Sequence, residues 1–294
     1  MTVLRVGSRG SALAQRQAGM VIDALTRVDP SLSCELVIIT TLGDESPQDL
    51  AALGGEGVFV TAIESALQEC SIDLAVHSFK DVPTAQPSSL TTAYLPRGDA
   101  RDALICRSGR PLIEMAPGAV IGTGSPRRRA LLLDARPDLR VEPMRGNVDT
   151  RLRKVAEGTV EGAVLAAAGL ERLDRSSEIA EMFDPERFVP AVGQGIIAVQ
   201  AGASDSTMRE LLAEIDDADT HTCARAERAV ARELSAGCRV ALGAHARLTN
   251  GSLRVDAFLA GDSALHRTHR VGGPAQAEEL GGEVARFLRA SLAA

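Results

Sequence analysis

Aromatic residues are scarce in this sequence of 294 residues: they make up 2% of it, with one tyrosine and no tryptophan. A surface that binds nucleic acid by base stacking needs more of them. The net charge of -7 also argues against a general polyanion-binding protein. Nucleic acid is therefore not expected as a partner, and any cationic site must be local.

Cysteines and histidines are few and widely spaced. The five cysteines are an odd number and include no C-x-x-C pair, and the five histidines lack the spacing of a ligand cluster. Neither a disulfide framework nor a zinc site follows from such positions. The sequence therefore predicts no metal.

Long apolar runs are also absent. The first residues lack an apolar core of signal-peptide length, and no window holds the roughly eighteen uninterrupted apolar residues that a membrane span needs. We therefore expect a cytoplasmic protein without a membrane partner. Its length predicts two or three domains, each with its own core.

Residues 73–83 read DLAVHSFKDVP and combine a short apolar strand with a cluster of polar groups. The pattern predicts a strand that delivers His77, Ser78, Lys80 and Asp81 at its end, where open α/β sheets bind ligands. Only two of the 32 basic residues are lysines, so a compact ammonium is favoured here over a guanidinium. A strand followed by a solvated polar turn is an equal alternative.

Two glycine-bearing loops each precede a predicted helix. The first loop, 7–11, carries Arg9 and leads into a helix capped by Ser11, and the β-α-β pattern around it predicts a parallel strand pair. The second loop, 122–125, leads into a helix with Pro126 at its first position. Backbone N–H groups and the helix dipole favour an anion at such a helix start. The second loop lacks the third glycine of a dinucleotide fingerprint and the Walker lysine.

Arginines recur at strand ends and helix N-termini, where the helix dipole makes a structural cation unfavourable. A cation placed there needs a compensating anion. We therefore infer a ligand with several carboxylates or phosphates, which guanidinium groups bind well. The arginines in these positions are Arg9, Arg127, Arg128, Arg145, Arg151 and Arg172.

The order of predicted elements indicates an α/β fold with more than one lobe. The pattern restarts after residues 95–98 and crosses back at 190–195, and the strand at 196–200 can return to the first sheet, which predicts two hinged lobes with a cleft. Further on, helices and a hairpin around Asn250-Gly251 indicate a small α+β domain. The expected domains are 1–96 with 196–214, then 97–195, then 215–294.

Cys238 follows a glycine at a predicted helix exit, so it falls on a loop, where a thiol can be reactive. A lone cysteine is more often a small apolar filler, and that alternative stays open for Cys238. It is preferred for the other four cysteines.

The chain resembles the porphobilinogen deaminases, also called hydroxymethylbilane synthases, in six motifs that occur in the same order: HSFKDVP, IGTGSPRR, RGNVDTR, LAAAGLERL, PAVGQG and the AGC at Cys238. The likeness extends from GSRGSALA near the start to the third domain. It implies three domains, the first two like a type II periplasmic binding protein with a hinged cleft, and the third small and α+β.

The resemblance also implies an activity. It is that of a transferase of porphyrin, tetrapyrrole and haem biosynthesis, which links four porphobilinogen molecules head to tail with loss of ammonia and releases hydroxymethylbilane. A dipyrromethane cofactor, held by a thioether to Cys238, would serve as the primer. Pyrroles with acetate and propionate groups agree with the polycarboxylate ligand inferred from the arginines.

By motif, the resemblance assigns the catalytic role to Asp81, which would stabilise the cation formed as the aminomethyl group leaves. The residues that would hold the cofactor are Cys238, Lys80, Asp81, Thr123, Ser125, Arg127 and Arg128. Those that would serve the substrate and the growing chain are Arg9, Arg145, Arg151 and Arg172, with Ser11 and Gln194 as secondary candidates.

Two positions depart from the family pattern. Glu56 stands where a lysine is common, in a glycine-rich segment, 43–57, that is expected to form a mobile loop or lid, and Gly124 stands where a serine is usual. The alternatives that remain are a non-catalytic two-lobed binding or regulatory protein for a polycarboxylate, and a paralogue acting on another pyrrole. A monomer is expected.

Overall fold

The computed structural model of the chain describes residues 3–40, 60–235, 240–261 and 264–293. It separates into two compact units. The first unit comprises Met1–Arg97 and Ile196–His221, and the second comprises Gly98–Gly195 and Thr222–Ala294.

The described strands form three sheets. Their bounds are β1 Val3–Ser8, β2 Ser33–Ile38, β3 Leu74–Ser78, β4 Leu90–Tyr94, β5 Asp102–Cys106, β6 Val120–Gly122, β7 Arg140–Glu142, β8 Gly162–Ala166, β9 Ile179–Met182, β10 Ile197–Gly202, β11 Leu242–Thr249, β12 Ser252–Ala260 and β13 Leu265–Gly272. The described α-helices are α1 Ala12–Val28, α2 Thr61–Gln68, α3 Pro126–Ala135, α4 Val148–Ala156, α5 Ala167–Arg172, α6 Ser206–Ile215, α7 Ala218–Glu233 and α8 Ala277–Ala293.

The first unit is built on a five-stranded sheet in the order β2-β1-β3-β10-β4. β1 pairs in parallel with β2 and β3, whereas β10 lies antiparallel between β3 and β4. Buried apolar residues of the strands pack on α1 and α6 on one face, and Ala75 packs with residues of α2 on the other. The parallel β1–β2 pair and the return of a strand near residue 197 were both predicted and are confirmed.

The second unit contains a five-stranded sheet in the order β7-β6-β8-β5-β9, in which β5 is antiparallel to both of its neighbours. It also contains the antiparallel sheet β11-β12-β13, whose apolar face packs on α7 and α8. The predicted hairpin is confirmed at Asn250 and Gly251, whose φ angles of 51° and 77° lie in the left-handed region that such a tight turn needs.

The predicted fold class, α/β with a smaller α+β region at the C-terminus, is confirmed by these sheets. The boundaries of three separate domains stay a prediction. None of the described helices is both long and apolar enough to cross a lipid bilayer.

Candidate active site

The turn that follows β3 carries Lys80 and Asp81, two of the four residues in the polar cluster predicted from the sequence, whereas His77 and Ser78 are residues of the strand itself. A short 3-10 helix, Phe79–Asp81, begins directly after the strand. Phe79 is fully buried, whereas Lys80 is exposed and Asp81 is half-buried. The buried phenylalanine therefore anchors a turn whose two charged side chains reach the surface of the first unit.

His77, in the same motif, is a buried residue of β3 and not part of the exposed cluster. Burial lowers the pKa of His77 to about 4, and the positive charge of Arg9 acts in the same direction, whereas the Gln200 side chain acts against both. His77 is therefore neutral at neutral pH. Its Nε2 is buried and finds no hydrogen-bond partner within the described parts of the chain.

The first glycine loop leads from β1 into α1 as predicted. Ser11 is the N-cap of the helix, and its Oγ accepts a hydrogen bond of 3.3 Å from the Ala14 N–H. Arg9 lies half-buried in the loop before that cap. Because α1 begins three residues after Arg9, the cation and the partial positive charge of the helix start lie close along the chain.

The second glycine loop repeats this arrangement before α3. Ser125 is the N-cap and accepts from the Arg128 N–H at 3.4 Å, while Thr123 Oγ1 accepts from the Ser125 N–H at 3.2 Å. Pro126 occupies the first turn of the helix, as predicted. Because both hydroxyl oxygens act as acceptors here, their own protons can still be donated to an anion.

Arg127 and Arg128 turn inward from the first turn of α3 and are buried. They share one fully buried carboxylate, that of Asp102 at the start of β5. Arg127 Nη1 lies 2.6 Å from Asp102 Oδ2, and Arg128 Nη2 lies 2.7 Å from Asp102 Oδ1. We call the three residues together with Gln194 the arginine cluster.

Backbone carbonyls and Gln194 complete the arginine cluster. Arg127 Nη1 donates to Val189 O at 2.7 Å, and Arg128 Nη1 donates to Val164 O at 2.8 Å. Gln194 Nε2 donates to Asp102 Oδ1 at 3.0 Å, and its Oε1 accepts from Arg128 Nη2 at 3.5 Å. The amide thus bridges the carboxylate and one guanidinium.

The arginine cluster holds two positive charges and one negative charge. Burial raises the pKa of Asp102, but the charges of Arg127 and Arg128 outweigh it and lower that pKa to about 2. Burial lowers the pKa of Arg127, and the charge of Arg128 adds to this against the pull of Asp102. Arg127 Nε is buried and has no acceptor among the described residues. Surplus positive charge and an unused donor fit an anionic group such as a carboxylate-bearing cofactor.

The other predicted arginines are placed differently. Arg145 is exposed, and Arg151, one turn into α4, donates from Nε to Gly146 O at 2.8 Å. Arg172 ends α5 and donates from Nη2 to Gly195 O at 2.6 Å. Burial lowers the pKa of Arg172, although the charge of Glu171 opposes this.

Cys238 and Glu56, with the whole 43–57 segment, lie outside the described residues. At Gly124, an added Cβ would lie 3.0 Å from Met144 O, so the loop runs close to the chain after β7. In the part of the chain that the structure describes, no group of three or more His, Cys, Asp or Glu residues could hold a metal ion.

Asp102 is the residue of this site that the sequence reasoning missed. It follows Arg101 and opens the apolar run ALIC, which forms a fully buried strand. The sequence did hold a signal for this residue. A carboxylate directly before an apolar run is buried with it and needs a cationic partner, and this chain is rich in arginines.

A buried cluster with surplus positive charge, on an α/β scaffold, is typical of the class of proteins that bind anionic ligands. Comparison with known proteins narrows this class. The family model for porphobilinogen deaminase, dipyromethane cofactor binding domain, matches residues 4–210, and that for the porphobilinogen deaminase C-terminal domain matches residues 221–290. The chain belongs to the porphobilinogen deaminase family.

Individual relatives agree with the family models. A porphobilinogen deaminase of Syntrophotalea carbinolica is 45% identical over 295 residues, covering 98% of this chain and 93% of that protein. A porphobilinogen deaminase of Syntrophobacter fumaroxidans is 42% identical over 290 residues, covering 97% of this chain and 94% of that protein. A solved periplasmic binding protein of Salmonella typhimurium, described for its high arginine specificity, covers 73% of this chain and 92% of its own at 11% identity, with a TM-score of 0.42, a likeness that carries no argument.

These matches confirm the predicted family, the transferase class and the dipyrromethane cofactor. They support the deaminase interpretation and not the non-catalytic binding protein. The roles of individual site residues stay predictions.

Proposed function

We propose that the chain joins four porphobilinogen molecules head to tail and releases hydroxymethylbilane. Each new carbon–carbon bond expels one ammonia, and hydrolysis releases the finished tetrapyrrole. The observation that carries the proposal is the arginine cluster, because two buried guanidiniums that share one carboxylate favour a ligand with carboxylates of its own. Family membership supports the particular substrate.

Several residues of the second unit would hold the dipyrromethane. Arg127 offers its unused Nε and Arg128 its positive charge, and the hydroxyls of Thr123 and Ser125 can donate to the same carboxylates. Cys238 would carry the thioether. When bound, the dipyrromethane supplies the terminal pyrrole carbon from which the chain is extended. Lys80 is proposed as a further carboxylate partner of this group.

Asp81 is proposed as the catalytic residue. A positive charge develops on the substrate pyrrole as the amine leaves, and a fixed carboxylate near the pyrrole N–H stabilises that charge. Asp81 is half-buried and sits on a turn with a fully buried anchor, Phe79, so its carboxylate is both reachable and held on a rigid base. Removal of the charge would leave binding groups in place but slow the loss of ammonia.

The remaining arginines are proposed to bind substrate and growing chain. Arg9, Arg145 and Arg151 lie at the surface or half-buried, and Arg172 keeps nitrogens beyond the one that donates to Gly195 O. Guanidiniums bind acetate and propionate groups through two parallel hydrogen bonds. Ser11 and Gln194 are proposed in supporting roles.

We also propose that the protein works as a cytoplasmic monomer without nucleic-acid or membrane partners. The net charge of -7 and the scarcity of aromatic side chains support the absence of a nucleic-acid surface. Light scattering after gel filtration tests the monomer, and a dimeric mass would contradict it. Fractionation of cells of the source organism tests the location.

Intact mass spectrometry of the purified protein tests the function. We expect an added mass of two linked pyrroles that maps to the Cys238 peptide, together with consumption of porphobilinogen. Cys238→Ser should lose both, while Cys70→Ser, at an exposed cysteine, should keep both. An active Cys238→Ser variant without attached pyrroles would contradict the proposal.

A further inference from the structure

Phe79 is the buried centre of the turn that carries Lys80 and Asp81. Its side chain is fully buried, and its N–H donates to Ile196 O at 3.0 Å. Within the turn itself, the Val82 N–H donates to Phe79 O at 3.1 Å. A turn of three residues has little internal rigidity, so the packing of Phe79 largely decides where the two charged side chains point.

Tyr94, at the end of β4, packs against Phe79. The two ring centroids are 4.7 Å apart with an angle of 61° between the planes, an edge-on arrangement. Tyr94 is itself buried, at 8% exposure, and its ring meets the ring of His221 edge-on at 5.2 Å. Edge-to-face contacts at these distances are favourable beyond the burial of apolar area.

Asp216, between α6 and α7, fixes both the backbone of Tyr94 and the ring of His221. Its Oδ1 accepts from the Tyr94 N–H at 2.7 Å, and its Oδ2 lies 2.7 Å from His221 Nδ1. The Asp217 N–H donates to Tyr94 O at 2.8 Å. Tyr94 is therefore held at its backbone by the Asp216–Asp217 segment, and its ring contacts the rings of both Phe79 and His221.

We propose that Tyr94 is a positioning residue for Asp81, acting through Phe79. The inference rests on the proposed catalytic role of Asp81. Removal of the Tyr94 ring would leave space beside Phe79, and the 3-10 turn could then settle in more than one orientation. Small displacements of a catalytic group reduce the rate strongly, because a fixed geometry is lost.

Kinetics of the cofactor-loaded enzyme with porphobilinogen test this proposal. Tyr94→Leu should lower kcat about tenfold with KM changed by less than about twofold, since the substrate arginines lie elsewhere. Tyr94→Phe keeps the ring and should recover most of kcat. Leu25→Ala, a buried α1 position of the same unit, controls for lost stability and should keep kcat. An unchanged kcat in Tyr94→Leu, or an equal loss in Leu25→Ala, would overturn the proposal.

A spectroscopic test separates this proposal from the proposed function. Tyr94 is the only tyrosine and the chain has no tryptophan, so tyrosine fluorescence and the tyrosine band of the near-ultraviolet circular dichroism report on the surroundings of this one ring. Asp81→Ala should change the Tyr94 signal, while Asp23→Ala, at an exposed position of α1, should not. An equal signal in the parent protein and both variants would show that turn and tyrosine are uncoupled, whatever the enzymatic activity.

Discussion

Arg128 places Nε at 3.0 Å and Nη2 at 2.7 Å from the same carboxylate oxygen of Asp102, Oδ1. Both side chains are buried. A guanidinium held at two points cannot rotate freely, so its direction is set before any ligand arrives. The Asp102 carboxylate therefore orders the cluster and leaves part of its positive charge for the ligand.

Asp102→Ala should destabilise the protein by about 3–5 kcal/mol, because two buried guanidiniums would lose their counter-charge. Asp102→Asn keeps the shape but not the charge and should cost nearly as much. The measurement is urea unfolding followed by circular dichroism. Asp138→Ala, which removes a partly exposed partner of Arg136, is the control and should cost about 1 kcal/mol or less. Similar losses for Asp102→Ala and Asp138→Ala would contradict the prediction.

Asp81→Asn should reduce kcat about a hundredfold or more while the unfolding midpoint stays close to that of the parent. The amide keeps the size of the side chain but cannot stabilise a developing positive charge. Steady-state rates of porphobilinogen consumption check the first part and thermal unfolding the second. Asp23→Asn, at an exposed position, should behave as the parent does. A rate near normal would remove Asp81 from its proposed role.

Stability should fall as the pH falls from about 6.5 to about 4 because of His77. In the unfolded chain the imidazole takes up a proton with the ordinary pKa of 6.5, whereas in the folded protein burial lowers its pKa to about 4. The unfolded state binds more protons in this window, so the free energy of unfolding decreases by about 3 kcal/mol across it. Above the window this contribution is fully present.

In His77→Gln, the free energy of unfolding should depend less steeply on pH. The variant lacks the imidazole, so unfolding takes up about one proton fewer in this pH window. Urea midpoints measured at several pH values for both proteins give the two slopes. Parallel curves for His77→Gln and the parent would show that His77 does not titrate in this way.

An added side chain should change the stability of the protein in opposite directions at two glycines. At Gly124 a Cβ would lie 3.0 Å from Met144 O, so Gly124→Ala and Gly124→Ser should each destabilise by about 1 kcal/mol. At Gly19, inside α1, a Cβ would meet nothing within 4 Å, so Gly19→Ala should stabilise by about 0.5–1 kcal/mol through helix propensity. Thermal unfolding of the three variants measures both effects. A stabilised Gly124→Ser would mean that the Met144 carbonyl shifts readily.

Glu227→Gln should cost about 1–3 kcal/mol. The fully buried carboxylate accepts from the Gly193 N–H and the Ala246 N–H, both at 2.7 Å, and an amide would turn an N–H donor toward one of them. Urea unfolding checks the loss. Glu233→Gln, at the partly exposed end of the same helix, is the control and should change little. No difference between the two variants would contradict the prediction.

Much of the fold was predictable because its local signals are strong. Ser11 and Pro126 mark helix starts that the structure confirms, and Asn250-Gly251 marks the hairpin. The strands β4, β5 and β9 were missed. Each has five residues or fewer and pairs antiparallel with strands distant in sequence, so its stability comes from tertiary pairing rather than from local pattern.

The candidate site was predictable only in part. Lys80 and Asp81 lie together in sequence, so their common turn could be inferred. Asp102 lies 26 positions before Arg128 on a missed strand, so the internal counter-charge could not be seen. The sequence analysis inferred that arginines at helix starts need a compensating anion, and this agrees with the electrostatics of a helix. For Arg127 and Arg128, however, one such anion is Asp102 of the chain itself.

The place of β10 has a consequence for how the protein is made. β10 lies between β3 and β4 in the sheet, yet the ribosome synthesises it only after the whole of 98–195. A nascent chain therefore carries an open sheet edge at β3 until residue 202 has left the ribosome, while the sheet of β5 to β9 can already close. The inserted part should thus fold first during translation, and the N-terminal part should depend longest on protection from aggregation.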